Sequence, residues 1–130
     1  MPEPSIQSAR DSLTESVIGF AIEVHRTLGP GLLESAYQEC LCYELKANAI
    51  AFGRQVALPV IYKTVKLDCG YRMDLVVDNL LVLELKTVEK ILPIHEAQLL
   101  TYLRLSGMRT GLLLNFNTAV LKNGIKRMVL

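Results

Sequence analysis

Apolar residues along this chain change their period near residue 50, and the change separates two helical stretches from a series of strands. In the first part Ile18, Ala21, Ile22 and His25 fall near one stripe, widened by Val17 and Val24. The spacing predicts a helix capped by Ser12 or Thr14 and running to about Leu28. Leu28-Gly29-Pro30-Gly31 stops it, because glycine admits left-handed backbone and proline fixes φ. A second helix is expected over about Leu33 to Ala47. Leu33, Tyr37, Leu41 and Leu45 make an i,i+4 stripe, broadened by Leu32, Ala36, Cys40 and Tyr43. After Ile50 the pattern reads as extended: Gln55 to Ile61, Lys66 to Val77 and Leu80 to Lys86. Pro93 opens a helix of about Ile94 to Leu105, ended by Gly107. Gly111 to Phe116 and Ile125 to Val129 follow as strands, with an Asn123-Gly124 turn between them. The order predicts a mixed α/β domain with Val82 to Leu85 in a central strand. Residues 1–12 read as a flexible N-terminal arm and 13–130 as a single domain.

The strands on either side of Asp78-Asn79 can be set in register by parity. A two-residue turn pairing Val77 with Leu80 places apolar residues opposite charged ones. A three-residue loop, Asp78-Asn79-Leu80, pairs Val77 with Leu81. It aligns Met73 and Leu75 with Leu85 and Leu83, and Arg72, Asp74 and Val76 with Lys86, Glu84 and Val82. Cross-strand partners share a face and register follows the hydrophobic pattern, so the second arrangement is expected. It puts the Asp74 and Glu84 Cβ atoms roughly 5 Å apart. Two carboxylates brought together repel unless a proton or a cation joins them. They are hard oxygen ligands suited to Mg²⁺ or Mn²⁺. Lys86, two residues beyond Glu84, faces the same way and can assist an attacking water or stabilise developing negative charge. A salt-bridge cluster on a solvated face is the alternative.

Other segments add candidates. His95, Gln98 and Tyr102 share a helical face. Gln98 can orient water or hold a phosphate oxygen, and Tyr102 can bond phosphate or stack on a base. A core role for Tyr102 and a capping role for His95 are the structural alternatives. Glu34 stands in the first turn of the second helix, where an acid favours the helix dipole, and an acid from this helix can complete a metal site formed by the strands.

Composition narrows the class without naming it. The chain has 130 residues, 51% hydrophobic and 21% charged, which excludes a disordered chain. With 14 basic and 13 acidic residues the net charge is +1, so no strongly basic field is present. Cys40, Cys42 and Cys69 are odd in number and read as buried or partly buried free thiols. No apolar run is long enough to cross a membrane, and the N-terminus lacks the pattern of a signal peptide. A cytoplasmic location is expected, with no membrane association.

Gly31-Leu32-Leu33-Glu34-Ser35-Ala36-Tyr37 is similar to the signature of the GxxExxY proteins. The resemblance extends through His25 to Pro30, Tyr71-Arg72-Met73-Asp74, Leu83-Glu84-Leu85-Lys86, Gln98 to Tyr102 and Leu114-Asn115-Phe116, covering roughly residues 15–130. These proteins resemble a compact branch of the PD-(D/E)xK nuclease-like superfamily. The resemblance implies a restriction-endonuclease-like core, a central mixed β-sheet flanked by helices. It implies Asp74 and Glu84 as metal-binding carboxylates, Lys86 as catalytic lysine and Glu34 as a helical acid arranging metal or water. Gln98 and Tyr102 match a Gln-x-x-x-Tyr feature of some branches. Met73 stands where the superfamily name has proline, at a position that does not touch metal. The implied activity is Mg²⁺-dependent hydrolysis of DNA, with RNA as an alternative, by direct attack of water and inversion at phosphorus.

The scattered basic residues and the small net charge predict weak grip on nucleic acid by this domain alone, so a homodimer or a protein partner is a further expectation. The competing reading is a non-catalytic interaction module on the same fold. A lysine closed off in an ion pair without a cleft would favour the module.

Overall fold

The computed structural model describes residues 5–130, so positions 1–4 of the expected arm lie outside the described residues. Helix α1 (Ile6–Leu28) starts earlier than the pattern predicts, because Ser5 caps it by accepting a bond from the Ser8 N–H at 3.1 Å. Residues 6–12 are therefore its first turns. Its buried line is Thr14, Val17, Ala21 and Val24, a rotation that leaves Ile22 exposed. Helix α2 (Glu34–Ala47) buries Tyr37, Leu41 and Leu45 as expected, with Gln38 and Cys42 beside them, while Leu33 and Tyr43 are exposed.

The extended segments divide further than the sequence pattern indicates. The first becomes β1 (Phe52–Ala57) and β2 (Val60–Tyr62), separated at Leu58-Pro59, where proline removes a ladder donor. The second becomes β3 (Val65–Leu67) and β4 (Arg72–Val77). Between them the Asp68 carboxylate accepts the Gly70 N–H at 3.0 Å and turns the chain. Strand β5 (Leu81–Lys86), helix α3 (Pro93–Ser106), β6 (Thr110–Asn115) and β7 (Ile125–Val129) follow.

Strands β1, β4, β5, β6 and β7 form one sheet in that order, with β5 at its centre. Only β5 and β6 run parallel, joined by α3; the other neighbours are antiparallel. The result is a mixed sheet with α1 and α2 packed on one face and α3 on the other. Strands β2 and β3 form a separate two-stranded ribbon. The first face buries Leu75, Leu83, Leu85, Leu112 and Leu114, each such leucine contributing roughly 2 kcal/mol. On the second face Gly111 lets α3 approach closely, since a Cβ there would lie 2.8 Å from a Leu99 methyl.

Two polar anchors hold the helices to the end of the sheet that carries Lys86. The Tyr37 ring stacks on Phe116 at 4.4 Å. Its hydroxyl donates to the Gly29 carbonyl at 2.6 Å and accepts the Leu32 N–H at 3.1 Å. The Gly29-Pro30-Gly31 turn, with both glycines at positive φ, is thereby tied to the first turns of α2. His25 is buried and its Nε2 donates to the Thr118 carbonyl at 2.8 Å. Among the described residues no helix is long and apolar enough to cross a membrane.

Tyr37→Phe leaves the Gly29 carbonyl and the Leu32 N–H without this partner while keeping the stacked ring. The variant should lose about 1–2 kcal/mol of stability, read as a lower urea midpoint with an unchanged m value.

Candidate active site

The hairpin joining β4 to β5 has the three-residue loop that parity predicts: Val77 pairs with Leu81, Val76 with Val82 and Leu75 with Leu83. The regular ladder stops there. At the next position the side chains take over the backbone partners. Glu84 Oε1 accepts the Asp74 N–H at 3.1 Å, and Asp74 Oδ2 accepts the Leu85 N–H at 2.8 Å. Asp74 and Glu84 are thus brought together as expected, across an opened pair of strands and not across a continuous ladder. Met73, expected opposite Leu85, packs instead with Leu58, Val76 and Leu103 on the α3 side, beyond the point where the strands part.

Glu84 is 4% exposed and lies between the fully buried Leu83 and Leu85. Burial pushes its pKa up to about 8, and the Asp74 carboxylate beside it raises it further than the nearby Lys86 ammonium lowers it. An acid in that position gains from a shared proton or a bound cation. One oxygen of each carboxyl accepts a backbone N–H, which fixes its orientation. Among the described residues no three His, Cys, Asp or Glu side chains form a closed metal cluster. Two hard carboxylates still fit Mg²⁺, which keeps several waters and is usually held by one or two carboxylates together with substrate phosphates.

Glu34, on the first turn of α2, is half-buried and faces the same centre. Burial raises its pKa, the Asp74 carboxylate raises it too, and Lys86 lowers it. Burial and repulsion therefore outweigh the helix N-terminus, which favours the charged form. Two residues absent from the sequence reading join it. Gln38, one turn along α2 from Glu34, accepts a bond from Gln55 Nε2 at 3.0 Å, and the same Nε2 lies 3.4 Å from Asp74 Oδ1. Gln55 sits on β1 opposite Asp74 with φ of 49°, a left-handed conformation inside a strand. The i,i+4 spacing of Glu34 and Gln38 was the signal for one of them. Nothing in the local pattern marks Gln55.

On the other side Lys86 donates to Gln98 Oε1 at 3.4 Å, and Gln98 Nε2 donates to the Tyr102 hydroxyl at 3.2 Å. Burial raises the Tyr102 pKa, and the Glu84 carboxylate adds to the rise. Lys86 takes part in none of the ion pairs among the described residues. It opens, with Gln98 and Tyr102, onto a cleft of about 730 Å³. His95 also lines this cleft, but its Nδ1 accepts the Leu92 N–H at 2.9 Å, so it caps α3. Asn115 at the end of β6 secures the segment after Lys86. Its side chain accepts the Val88 N–H at 3.1 Å and donates to the Val88 carbonyl at 2.9 Å. The three cysteines are free thiols; Cys42 is buried, with its pKa raised by burial, and Cys69 is exposed rather than buried.

The mixed sheet flanked by helices is consistent with a restriction-endonuclease-like fold. A family model described as the PD-(D/E)XK nuclease superfamily matches residues 11–128, and the chain belongs to that superfamily. Membership points to nuclease activity in general, and proteins of this superfamily generally use divalent metals. No curated protein and no solved structure shows significant similarity to the chain.

In metal-free protein the folded pKa of Glu84, about 8, stands above its ordinary value of 4.5. The folded state then holds an extra proton between those values, so this group makes stability fall as pH rises through the window. Glu84→Gln keeps the acceptor for Asp74 N–H and removes the ionisation. In EDTA the variant should become increasingly more stable than wild type from pH 4.5 to pH 8. Thermal unfolding in a pH series checks this; a difference that shrinks toward pH 8 would contradict the burial of this charge.

Proposed function

We propose that this chain is a Mg²⁺-dependent nuclease that hydrolyses phosphodiester bonds of DNA, from the GxxExxY branch of its superfamily. The observation that carries this reading is the opening of β4 from β5 at Asp74 and Glu84, beside a lysine that lines an open cleft. Asp74 and Glu84 would hold the cation. When bound, it supplies Lewis-acid stabilisation of a phosphoryl oxygen and a more acidic water. Mn²⁺ offers the same donor preference.

The remaining roles follow from position. Lys86, free of ion pairing among the described residues and oriented by Gln98, stabilises negative charge on the phosphoryl oxygens or positions the attacking water. Gln98 is in turn tied to Tyr102, so the two hold the lysine amine in the cleft. Glu34, with its raised pKa, can take a proton from water near neutral pH better than an exposed carboxylate of ordinary basicity. Gln38 and Gln55 hold Asp74 from the α2 side. A partner or second copy supplies additional grip on the polymer, and the free thiols suit a reducing cytoplasm.

The test is cleavage of linear, nicked, single-stranded and structured DNA and RNA with Mg²⁺ and with Mn²⁺. Glu84→Ala and Lys86→Ala should each lower the rate by about 10²–10³-fold, the scale of losing a group that stabilises transition-state charge. EDTA should abolish cleavage. Full activity in both variants would remove the proposed site, and a wild type that binds but cleaves nothing would favour a non-catalytic module.

A further inference from the structure

The cleft beside Lys86 reaches the β2–β3 ribbon at Val60, and its walls are chiefly apolar. Ile94, Ala97 and Leu105 come from α3, Val60 from β2, and the Tyr71 and Tyr102 rings close the side at 6.2 Å, edge to face. The ribbon pairs Val60 with Leu67 and Tyr62 with Val65, which puts these four side chains on one face. Val60 lines the cleft, so this face prolongs its wall. Tyr62 is 61% exposed and Tyr71 46%, and Val65 and Leu67 are also exposed. A two-stranded ribbon with one bare apolar face has little stability of its own. One cation accompanies the rings: Lys63 Nζ lies 5.5 Å from the Tyr62 ring centre, whereas Lys66 stands on the opposite face of the ribbon. Neither joins an ion pair among the described residues, whereas Arg72 is held by Asp68 at 3.7 Å.

We infer that this wall is a stacking platform for single-stranded nucleic acid, with unpaired bases on Tyr71 and Tyr62 and the backbone led past Lys86. The inference rests on the nuclease reading and narrows its substrate to single strands or frayed ends. A duplex hides its base faces and presents phosphates. A chain of net charge +1 with few basic residues around the cleft meets that surface poorly. Single strands offer a π-face at every base, which tyrosines bind whatever the sequence, while a few lysines follow the phosphates.

Binding of a labelled oligothymidylate, an oligouridylate of the same length and a blunt duplex, in EDTA and again in Ca²⁺, tests the platform. Both single strands should bind more tightly than the duplex. Tyr71→Ala and Tyr62→Ala should each weaken single-strand binding about 5- to 100-fold, the range for loss of one stacked base. Tyr71→Phe should bind like wild type. Lys63→Ala should lower the slope of log K against log salt by about 0.7. Tyr62 is exposed on the ribbon, so its variant reports on binding even where Tyr71→Ala disturbs the Tyr102 contact. Equal binding of duplex and single strand, or tyrosine variants that bind like wild type, overturns the platform and leaves hydrolysis standing. Tyrosine-dependent single-strand binding without any metal-dependent cleavage supports the platform and removes the hydrolytic reading. Loss of a dimer in the tyrosine variants, with no single strand bound by wild type, overturns it in favour of a face between two copies of this chain.

Discussion

Strands β4 and β5 part after the Leu75–Leu83 pair, and the backbone N–H groups of Asp74 and Leu85 beyond it need acceptors. Asp74 and Glu84 provide them, each carboxyl accepting from the other's strand. One arrangement therefore satisfies the backbone and sets the geometry of the acids. It also places a carboxyl group inside an apolar strand, where ionisation is opposed by burial and by its neighbour. That tension is stable only while a proton or a cation is present. The two carboxyl groups therefore have a structural reason to stay where they are before any ligand arrives.

The rest of the architecture brings supporting groups to this opening from both faces of the sheet. On one face the Tyr37 hydroxyl ties the glycine-proline turn to α2, which fixes where Glu34 and Gln38 enter. Gly31, Glu34 and Tyr37 thus have distinct physical roles: a turn at positive φ, an acid at the site and a buried clamp. On the other face α3 delivers Gln98 and Tyr102, its approach made close by Gly111. The two faces meet at the carboxyl ends of the parallel strands β5 and β6, where open α/β sheets commonly bind ligands. Gln55 completes the ring from the edge strand in a left-handed conformation that bonds to Gln38 and Asp74 accompany. Strain of that kind concentrates at functional sites.

Nearly all of the chain is engaged in building and bracing this centre, and the β2–β3 ribbon is the part that is not. Its pairing contributes nothing to the five-stranded sheet, and Tyr62, Val65 and Leu67 on its apolar face are exposed. Near-zero net charge excludes a broad electrostatic grip. Recognition by flat rings and a few amines is consistent with both facts, since stacking needs exposed π-surface and little charge.

The sequence by itself determined the element types, the central position of β5 and the register that unites Asp74 with Glu84. Each of these follows from short-range periodicity: a slip of one residue would have turned Val82 and Leu83 to the wrong faces. It also carried Glu34, Lys86, Gln98 and Tyr102 through their ordered spacing and resemblance. The start of α1 and the breaks at Leu58-Pro59 and Asp68 to Tyr71 were less legible, because a serine cap and an aspartate turn act through single hydrogen bonds that periodicity does not register. Only the tertiary structure decided that the ladder opens at the acids, that Gln38 and Gln55 join Asp74, and that Lys86 faces a cleft and forms no ion pair among the described residues. Those outcomes depend on contacts between segments far apart in the chain, where burial and competing hydrogen-bond partners, not local pattern, set the geometry.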